Sequence, residues 1–375
     1  MFRKIVYILL LSFNVSAQAG EVLTEKLVSQ LLESKKAFVI SPYSVGAALS
    51  MTAEGAAGDT KKEFAKVLNL PWSNGLEKNN SEVFHSAQAV WVEQTYPVKQ
   101  GFLDKLKKKY RAEYEKADFK EQTEVERLKI NNWVLGKTKN KIKDLLKPGS
   151  LTSLTRLVLV NGVYFKDAWI EAFDKNLTLK KTFQLTPDES MDIETLNKKF
   201  KAVQYYASDK FESIQLPFKT KEFALRLFLP KDFEISPGTV KEILNKKNKH
   251  YSFQEMTVQF PKFKIDFEIE LSENFKSLGL LLPFSDQADF SKLSEVAMSD
   301  RIRISLIQHK VFFEVNEEGA QAAAATAVVL KGRSMIPKSK EFIANRPFIY
   351  EIVRINSATS EDILFVGFFK PEKVN

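Results

Sequence analysis

The chain has no cysteine. Disulfides, thiol nucleophiles and thiolate metal sites are therefore excluded. Histidine is nearly as scarce: among 375 residues there are three, His85, His250 and His309. They share no metal-ligand spacing, so neither a metal site nor a cofactor is expected. Also missing are a GxSxG nucleophile elbow, a P-loop and a paired-glycine nucleotide motif. A hydrolase would need Ser334 as nucleophile and His309 as base, yet no acid partner or oxyanion motif accompanies them. No Pro/Gly/Ser-rich linker, repeat or low-complexity tract divides the chain. Apolar runs long enough to cross a membrane are absent, since even Ile5 to Leu11 is too short.

What is present is an ordinary globular composition, 44% hydrophobic and 27% charged. Length alone would allow two or three domains. Without a linker, the expectation is one domain over residues 20–375. Residues 1–19 read as a secretory signal peptide. Arg3 and Lys4 precede the apolar run, and Ala17-Gln18-Ala19 offers a small-x-small cleavage site before Gly20. The product is expected to be secreted and extracellular, or periplasmic in a bacterial host. Loss of Arg3 and Lys4 takes the formal charge from +9 to +7. Asn79-Asn80-Ser81 and Asn176-Leu177-Thr178 match glycosylation sequons.

Leu23, Leu27, Leu31 and Leu32 lie at helical spacing within Glu21 to Lys35. A short strand over Ala37 to Ile40 stops at Ser41-Pro42. Ser44 is a candidate cap for a small-residue helix, and Thr60 with Glu63 a capping box for the next. Ala87 to Val92 alternates as a strand. Phe102 to Glu113 reads as a basic helix carrying Lys105, Lys107, Lys108, Lys109 and Arg111. Basic runs bind polyanions, but the interspersed acids also suit a solvated face. Nothing supports a nucleic-acid partner. Glu124 to Leu146 is the longest helix candidate, packed through Leu128, Trp133, Ile142, Leu145 and Leu146. Leu157 to Phe165, Phe223 to Leu229, Met256 to Phe267 and Ile363 to Phe369 read as strands. Early helices and late strands argue for an α+β fold.

Glu317 to Ser334, EEGAQAAAATAVVLKGRS, stands apart. It follows the apolar run RIRISLIQHKVFFEV and precedes FIANRPFIYEIV. Its alanines favour helix. Its alternation also suits a strand, with Ala320, Ala322, Ala324, Thr326, Val328 and Leu330 on one face. Gly319 to Ala327 contains neither proline nor charge.

This segment resembles the hinge and reactive loop of serpins, the serine protease inhibitor family. Glu317-Glu318-Gly319, Ala322 to Ala325 and Thr326 carry the hinge likeness, and Phe342 to Tyr350 is similar to the family signature. SPYSVGAALSMTAEGAAGDT, INNWVLGKTKNKIKDLL and LPFSDQADFSKLSE extend it through the chain. The resemblance implies a serpin fold with three β-sheets, surrounding helices and an exposed loop able to insert into the main sheet. Counting fourteen positions from the hinge glycine, it implies an Arg333–Ser334 reactive bond. It implies a hinge at Glu317, Gly319, Ala320, Ala322, Ala324 and Thr326. It makes Ser41, Ser44, Asn161 and His309 a buried polar cluster beneath the main sheet, and puts Trp169 at the top of the opening. The implied activity is inhibition of trypsin-like serine proteases by a monomer that traps them covalently, with no membrane partner. Inhibition of cysteine proteases with basic specificity, or a non-inhibitory carrier or chaperone, are the alternatives. Residues 71–86 are too few for the helix that carries a heparin site in several serpins, and Ala320 stands where many inhibitors have threonine or serine.

Overall fold

The computed structural model describes residues 22–68, 83–110, 112–245, 250–296, 299–319, 340–357 and 360–373. In chain order they form α1 (22–32), β1 (Phe38–Ile40), α2 (Pro42–Gly55), α3 (Gly58–Leu68), β2 (Phe84–Glu93), α4 (Gln100–Lys105), β3 (Glu113–Ala117), α5 (Thr123–Lys137), β4 (Leu157–Phe165), β5 (Leu179–Thr186), β6 (Glu189–Ala207), β7 (Phe211–Pro217), β8 (Phe223–Pro230), α6 (Pro237–Leu244), β9 (Ser252–Pro261), β10 (Phe263–Glu270), α7 (Ser272–Ser277), β11 (Ile304–Val315), β12 (Lys340–Ile343), β13 (Phe348–Ser357) and β14 (Ser360–Phe369). Mixed helices and sheets give the expected α+β class.

These residues fall into two compact units. One holds the described residues up to Leu27, Ser41–Tyr164 and Asp266–Phe312; the other holds Val28–Ile40, Phe165–Ile265 and the chain from Phe313 onward. The boundaries at Tyr164 and Phe312 fall inside strands, so no composition shift marks them.

The first unit carries a five-stranded sheet in the order β10-β11-β4-β2-β3. At its centre β4 and β11 run parallel, from Leu157 beside Ile304 to Tyr164 beside Phe312. Every residue of β4 is buried, as its unbroken apolar sequence requires. Helix α5 packs on one face, placing Ile130 and Val134 against Ala87, Ala89, Val158 and Val160. A Cβ on Gly162 would come within 3.0 Å of Val134 Cγ1 and 3.3 Å of Ile142 Cδ1, so the close approach of α5 to β4 depends on this glycine.

The longest helix candidate is shorter than its sequence suggests. α5 ends at Lys137, where the Thr138 hydroxyl bonds back to the Val134 carbonyl at 2.8 Å and Lys139 and Asn140 take positive φ. Ile142, Leu145 and Leu146 pack as expected, but from the following loop. Asn131 fixes that loop by accepting from Leu146 N–H at 2.8 Å and donating to its carbonyl at 2.9 Å. Leu128 is exposed, because two positions from Ile130 it points to the opposite side of the helix.

Other boundaries also differ. Ser41, not Ser44, caps α2, with Pro42 in its first turn. α3 starts at Gly58, so Thr60 is internal. Its hydroxyl accepts from Asp289 N–H, and Glu63 accepts from the amides of Leu281 and Leu282. The basic helix is α4 followed by a wide π turn over Leu106–Tyr110, which turns both Leu106 and Tyr110 inward. Glu113 begins β3. Lys262 separates β9 from β10 where one strand was expected.

The second unit carries nine strands in the order β1-β14-β13-β8-β7-β6-β9-β12, with β5 also on β6. Three sheets were expected. The 19-residue β6 joins what would be two of them, pairing with β5 through its first half and with β7 through its last residues, with a register break between Phe200 and Val203.

Candidate functional site

β11 ends in a tight reversal. Asn316 N–H donates to the Gly319 carbonyl at 3.1 Å and Gly319 N–H returns to the Asn316 carbonyl at 3.3 Å. That reciprocal pair closes a two-residue hairpin turn through Glu317 and Glu318. On its other side Gly319 bridges antiparallel to Ala168, just past β4, while Trp169 N–H donates to the Glu318 carbonyl at 3.0 Å and Phe173 N–H to that of Glu317 at 2.7 Å. Gly319 adopts φ +116°, and a Cβ there would lie 2.5 Å from the Trp169 nitrogen. Only glycine fits both demands.

Side chains lock the turn. Trp169 donates its indole N–H to the Asn316 carbonyl at 2.8 Å and stacks on Phe218 at 4.6 Å. Glu317 is 6% exposed and lies 3.4 Å from Lys262 Nζ. Burial alone would raise its carboxyl pKa, but hydrogen bonding from its own backbone and the Lys262 charge outweigh this and hold it below the usual value. Glu318 pairs with Lys175 at 2.6 Å. The hinge residues Glu317 and Gly319 are thus brought together with Trp169. Ala320, Ala322, Ala324, Thr326, Arg333 and Ser334 lie outside the described residues, as do residues 1–19, where a signal peptide is expected.

A second cluster lies along the β4–β11 pair. His309 and Asn161 are register partners there. Ser41 N–H can only donate, so at 3.0 Å the His309 Nε2 must accept and the ring proton resides on Nδ1. Nδ1–H then donates to Asn161 Oδ1 at 2.7 Å. That orients the Asn161 amide, whose Nδ2 donates to Ser44 Oγ at 2.8 Å. Gln88 Nε2 donates to the same oxygen at 2.6 Å, which leaves the Ser44 hydrogen for Ser86 Oγ at 3.3 Å. Ser41 Oγ accepts from Ser44 N–H at 3.3 Å. Ser41, Ser44, Asn161 and His309 are all buried. Burial drives the His309 pKa down to about 3, against a smaller upward effect of Asn161, so the imidazole is neutral at physiological pH.

Sequence reasoning missed several members of these clusters. Gln88 and Ser86 sit on an ordinary alternating strand and carry no signal of their own. Asn316 is one residue outside the expected hinge. Lys310 had a signal, a lysine inside the apolar run around His309. It is buried, donates to the Lys143 carbonyl at 2.9 Å and lies 3.4 Å from both Asp266 and Glu268. Lys147 also reaches Glu268, at 3.2 Å. The loop after α5 is thereby tied to β10 and β11.

The basic run is less open than its composition suggests. Lys105 and Lys109 both pair with Glu54, at 3.2 and 2.6 Å. Burial works against the Glu54 charge, but the two lysines hold its pKa below the ordinary value. Lys107 and Lys108 are exposed, and Arg111 lies outside the described residues. No group of three acidic or histidine side chains suited to a metal occurs among the described residues.

A family profile described as Serpin (serine protease inhibitor) matches residues 18–371. An uncharacterized serpin-like protein of Methanosarcina acetivorans is 35% identical over 363 residues, covering 91% of this chain and 83% of its own length. Serpin-ZXA of Oryza sativa subsp. japonica is 35% identical over 357 residues, covering 87% and 88%. Among solved structures, Serpin48 of the insect Tenebrio molitor, described as a highly specific serpin, superposes with a TM-score of 0.83 at 27% identity, covering 96% of this chain and 99% of that one. Native protease nexin-1 with heparin gives 0.80 at 26%, covering 95% and 99%.

Proposed function

From the premise that this chain belongs to the serpin family, we propose that it is a secreted inhibitor which trypsin-like serine proteases attack at Arg333–Ser334. The protease serine adds to the Arg333 carbonyl, the peptide bond breaks, and Ser334 leaves as the new amino terminus. Arg333 then remains as an ester on the enzyme. An arginine at this position suits the acidic specificity pocket of such proteases. The freed loop enters the main sheet between β4 and β11 before the ester hydrolyses, carrying the enzyme with it. From Gly319 to Arg333 an extended strand spans about 46 Å, at roughly 3.3 Å per residue. That is of the order of a small domain's diameter, enough to drag and distort a protease.

The observation that carries this reading is the reversal at the end of β11. Gly319 is already hydrogen-bonded antiparallel to Asn316 on one side and bridged to Ala168 on the other. Insertion continues a hairpin whose first rung exists. It exchanges one parallel pairing for two antiparallel ones, which are each slightly more stable per residue. The absence of proline and charge from Gly319 to Ala327 supports the same reading, because each inserted residue must supply its backbone N–H.

Mixing the mature protein with trypsin on a denaturing gel tests it. A stable band near the summed mass, absent for Arg333→Ala, is the expected result. A cleaved chain with no complex would instead fit a carrier or chaperone. A complex formed only with basic-specific cysteine proteases would move the target class. A second reading, weak polyanion binding at Lys105, Lys107, Lys108, Lys109 and Arg111, draws support from the net positive charge, +9 for the full chain and +7 without Arg3 and Lys4, and from the heparin in the protease nexin-1 structure. Salt-sensitive retention on heparin checks it.

A further inference from the structure

Asp167, one residue before the rung that Ala168 makes with Gly319, is only 6% exposed. A buried carboxylate is costly unless its lone pairs are taken. Oδ1 accepts from the Ala168 N–H at 2.8 Å. Oδ2 accepts from the Thr220 hydroxyl at 2.6 Å and, at greater length, from the Thr220 N–H at 3.4 Å. Thr220 belongs to the turn between β7 and β8. Phe218 N–H closes that turn on the Phe223 carbonyl at 2.9 Å, and Lys221 N–H bonds back to the Phe218 carbonyl at 3.0 Å.

The same turn holds the backbone just past β4. Lys219 N–H donates to the Ala168 carbonyl at 2.7 Å, Trp169 bridges to Phe218, and Ile170 N–H reaches the Pro217 carbonyl at 3.3 Å. Ala168 therefore spends both of its own backbone groups away from Gly319. The groups that face the hinge are the Trp169 N–H, already bonded to the Glu318 carbonyl, and, by the alternation of an antiparallel ladder, the Asp167 carbonyl. That carbonyl is the next acceptor offered to an entering strand. The side chain of the same residue is fastened to Thr220.

We propose that Thr220 and Asp167 are positioning residues: their hydrogen bond makes the β7–β8 turn a fixed post for the strand end that receives the loop, and so sets how many inhibitor molecules are cleaved without effect for each protease trapped. This rests on the inhibitory reading above and adds to it a pair outside the loop. The ester on the enzyme partitions between hydrolysis and insertion, and a receiving strand end that wanders delays insertion alone.

The test uses the full mature chain and trypsin. It reads the stoichiometry of inhibition beside the rate of cleavage at Arg333–Ser334. Thr220→Val removes the hydroxyl at nearly constant shape. It raises the stoichiometry about threefold, part of the roughly tenfold or more that a hydrogen bond to a carboxylate is worth. The cleavage rate stays at the parent value, because the loop offered to the protease is unaltered, and Thr220→Ser restores the parent stoichiometry. In an Asp167→Ala background Thr220→Val adds nothing, since the pair is already broken. Thr182→Val removes another hydroxyl–carboxylate bond, to Asp192 at 3.0 Å in the β5–β6 hairpin, and leaves the stoichiometry unchanged. An unchanged stoichiometry in Thr220→Val, or effects of Thr220→Val and Asp167→Ala that simply add, overturns the pair while leaving the inhibitory reading intact. A parent that forms no covalent complex overturns the inhibitory reading itself, and this inference with it.

Discussion

His309 and Asn161 face each other across a parallel strand pair, joined by an Nδ1–H···Oδ1 hydrogen bond of 2.7 Å. Any strand that enters between β4 and β11 must break that bond. A buried polar network is favourable when fully paired and costly when half paired. It therefore opposes opening of the β4–β11 pair.

The neutral state of His309 sets an acid limit on the native fold. Its pKa is depressed to about 3 in the folded chain, whereas the unfolded side chain titrates near 6.5. Between those values the unfolded state binds the extra proton, so stability falls as pH falls through the window and is unaffected above it. One such group contributes a slope of up to about 1.4 kcal/mol per pH unit. Urea midpoints measured from pH 7.5 to 4 should decline more steeply for the parent than for His309→Gln. Parallel declines would remove His309 as the cause.

Gly319→Ala should damage the hinge without touching the core. The added methyl meets the Ala168–Trp169 backbone at 2.5 to 2.6 Å and must adopt φ near +116°. Strain of about 1–3 kcal/mol is expected. More protein should be cleaved per complex formed, read as a rise in the stoichiometry of inhibition against trypsin. An unchanged value would mean that the turn can relax.

Ala322→Pro should convert an inhibitor into a substrate, because proline removes a donor from the entering strand. Cleavage at Arg333–Ser334 should continue while the covalent band disappears. A stable complex with this variant would sink the insertion mechanism.

Lys310→Met should loosen the loop after α5. The ammonium holds the Lys143 carbonyl and two carboxylates, and methionine keeps the packing volume without them. Faster hydrogen exchange at residues 138–147 is expected, with quicker uptake of a synthetic Gly319-to-Arg333 peptide into the sheet. Equal exchange would show that Asn131 and Arg127, both bonded to Leu146, suffice to hold the loop.

Strands were the more legible part of the fold. β4 and β11 announce themselves as apolar runs because both faces of their central portions are buried. α5 was misjudged because Ile142, Leu145 and Leu146 are apolar at helical spacing. What ends the helix is the backbone at Lys139 and Asn140, and neither residue type forces a positive φ. Ser41 and Ser44 are both plausible caps by composition; Pro42, which suits the first turn, favours Ser41. In the polar cluster, His309 stood out as a polar residue in an apolar strand. Gln88 did not, since nothing local distinguishes it from any half-buried strand position. The joining of two sheets through β6 depends on a register break at Phe200 to Val203, which no periodicity announces.

The cluster from Ser41 to Ser44 has a direction. The amide of Ser41 fixes the histidine tautomer, the histidine fixes the asparagine, and the asparagine fixes which way the serine hydroxyl turns. Replacing His309, Asn161 or Ser44 leaves a buried polar atom at the next link without its partner. Natural variants of this chain should therefore alter positions 44, 161 and 309 in concert or leave all three alone. For inheritance, these scattered residues amount to a single site.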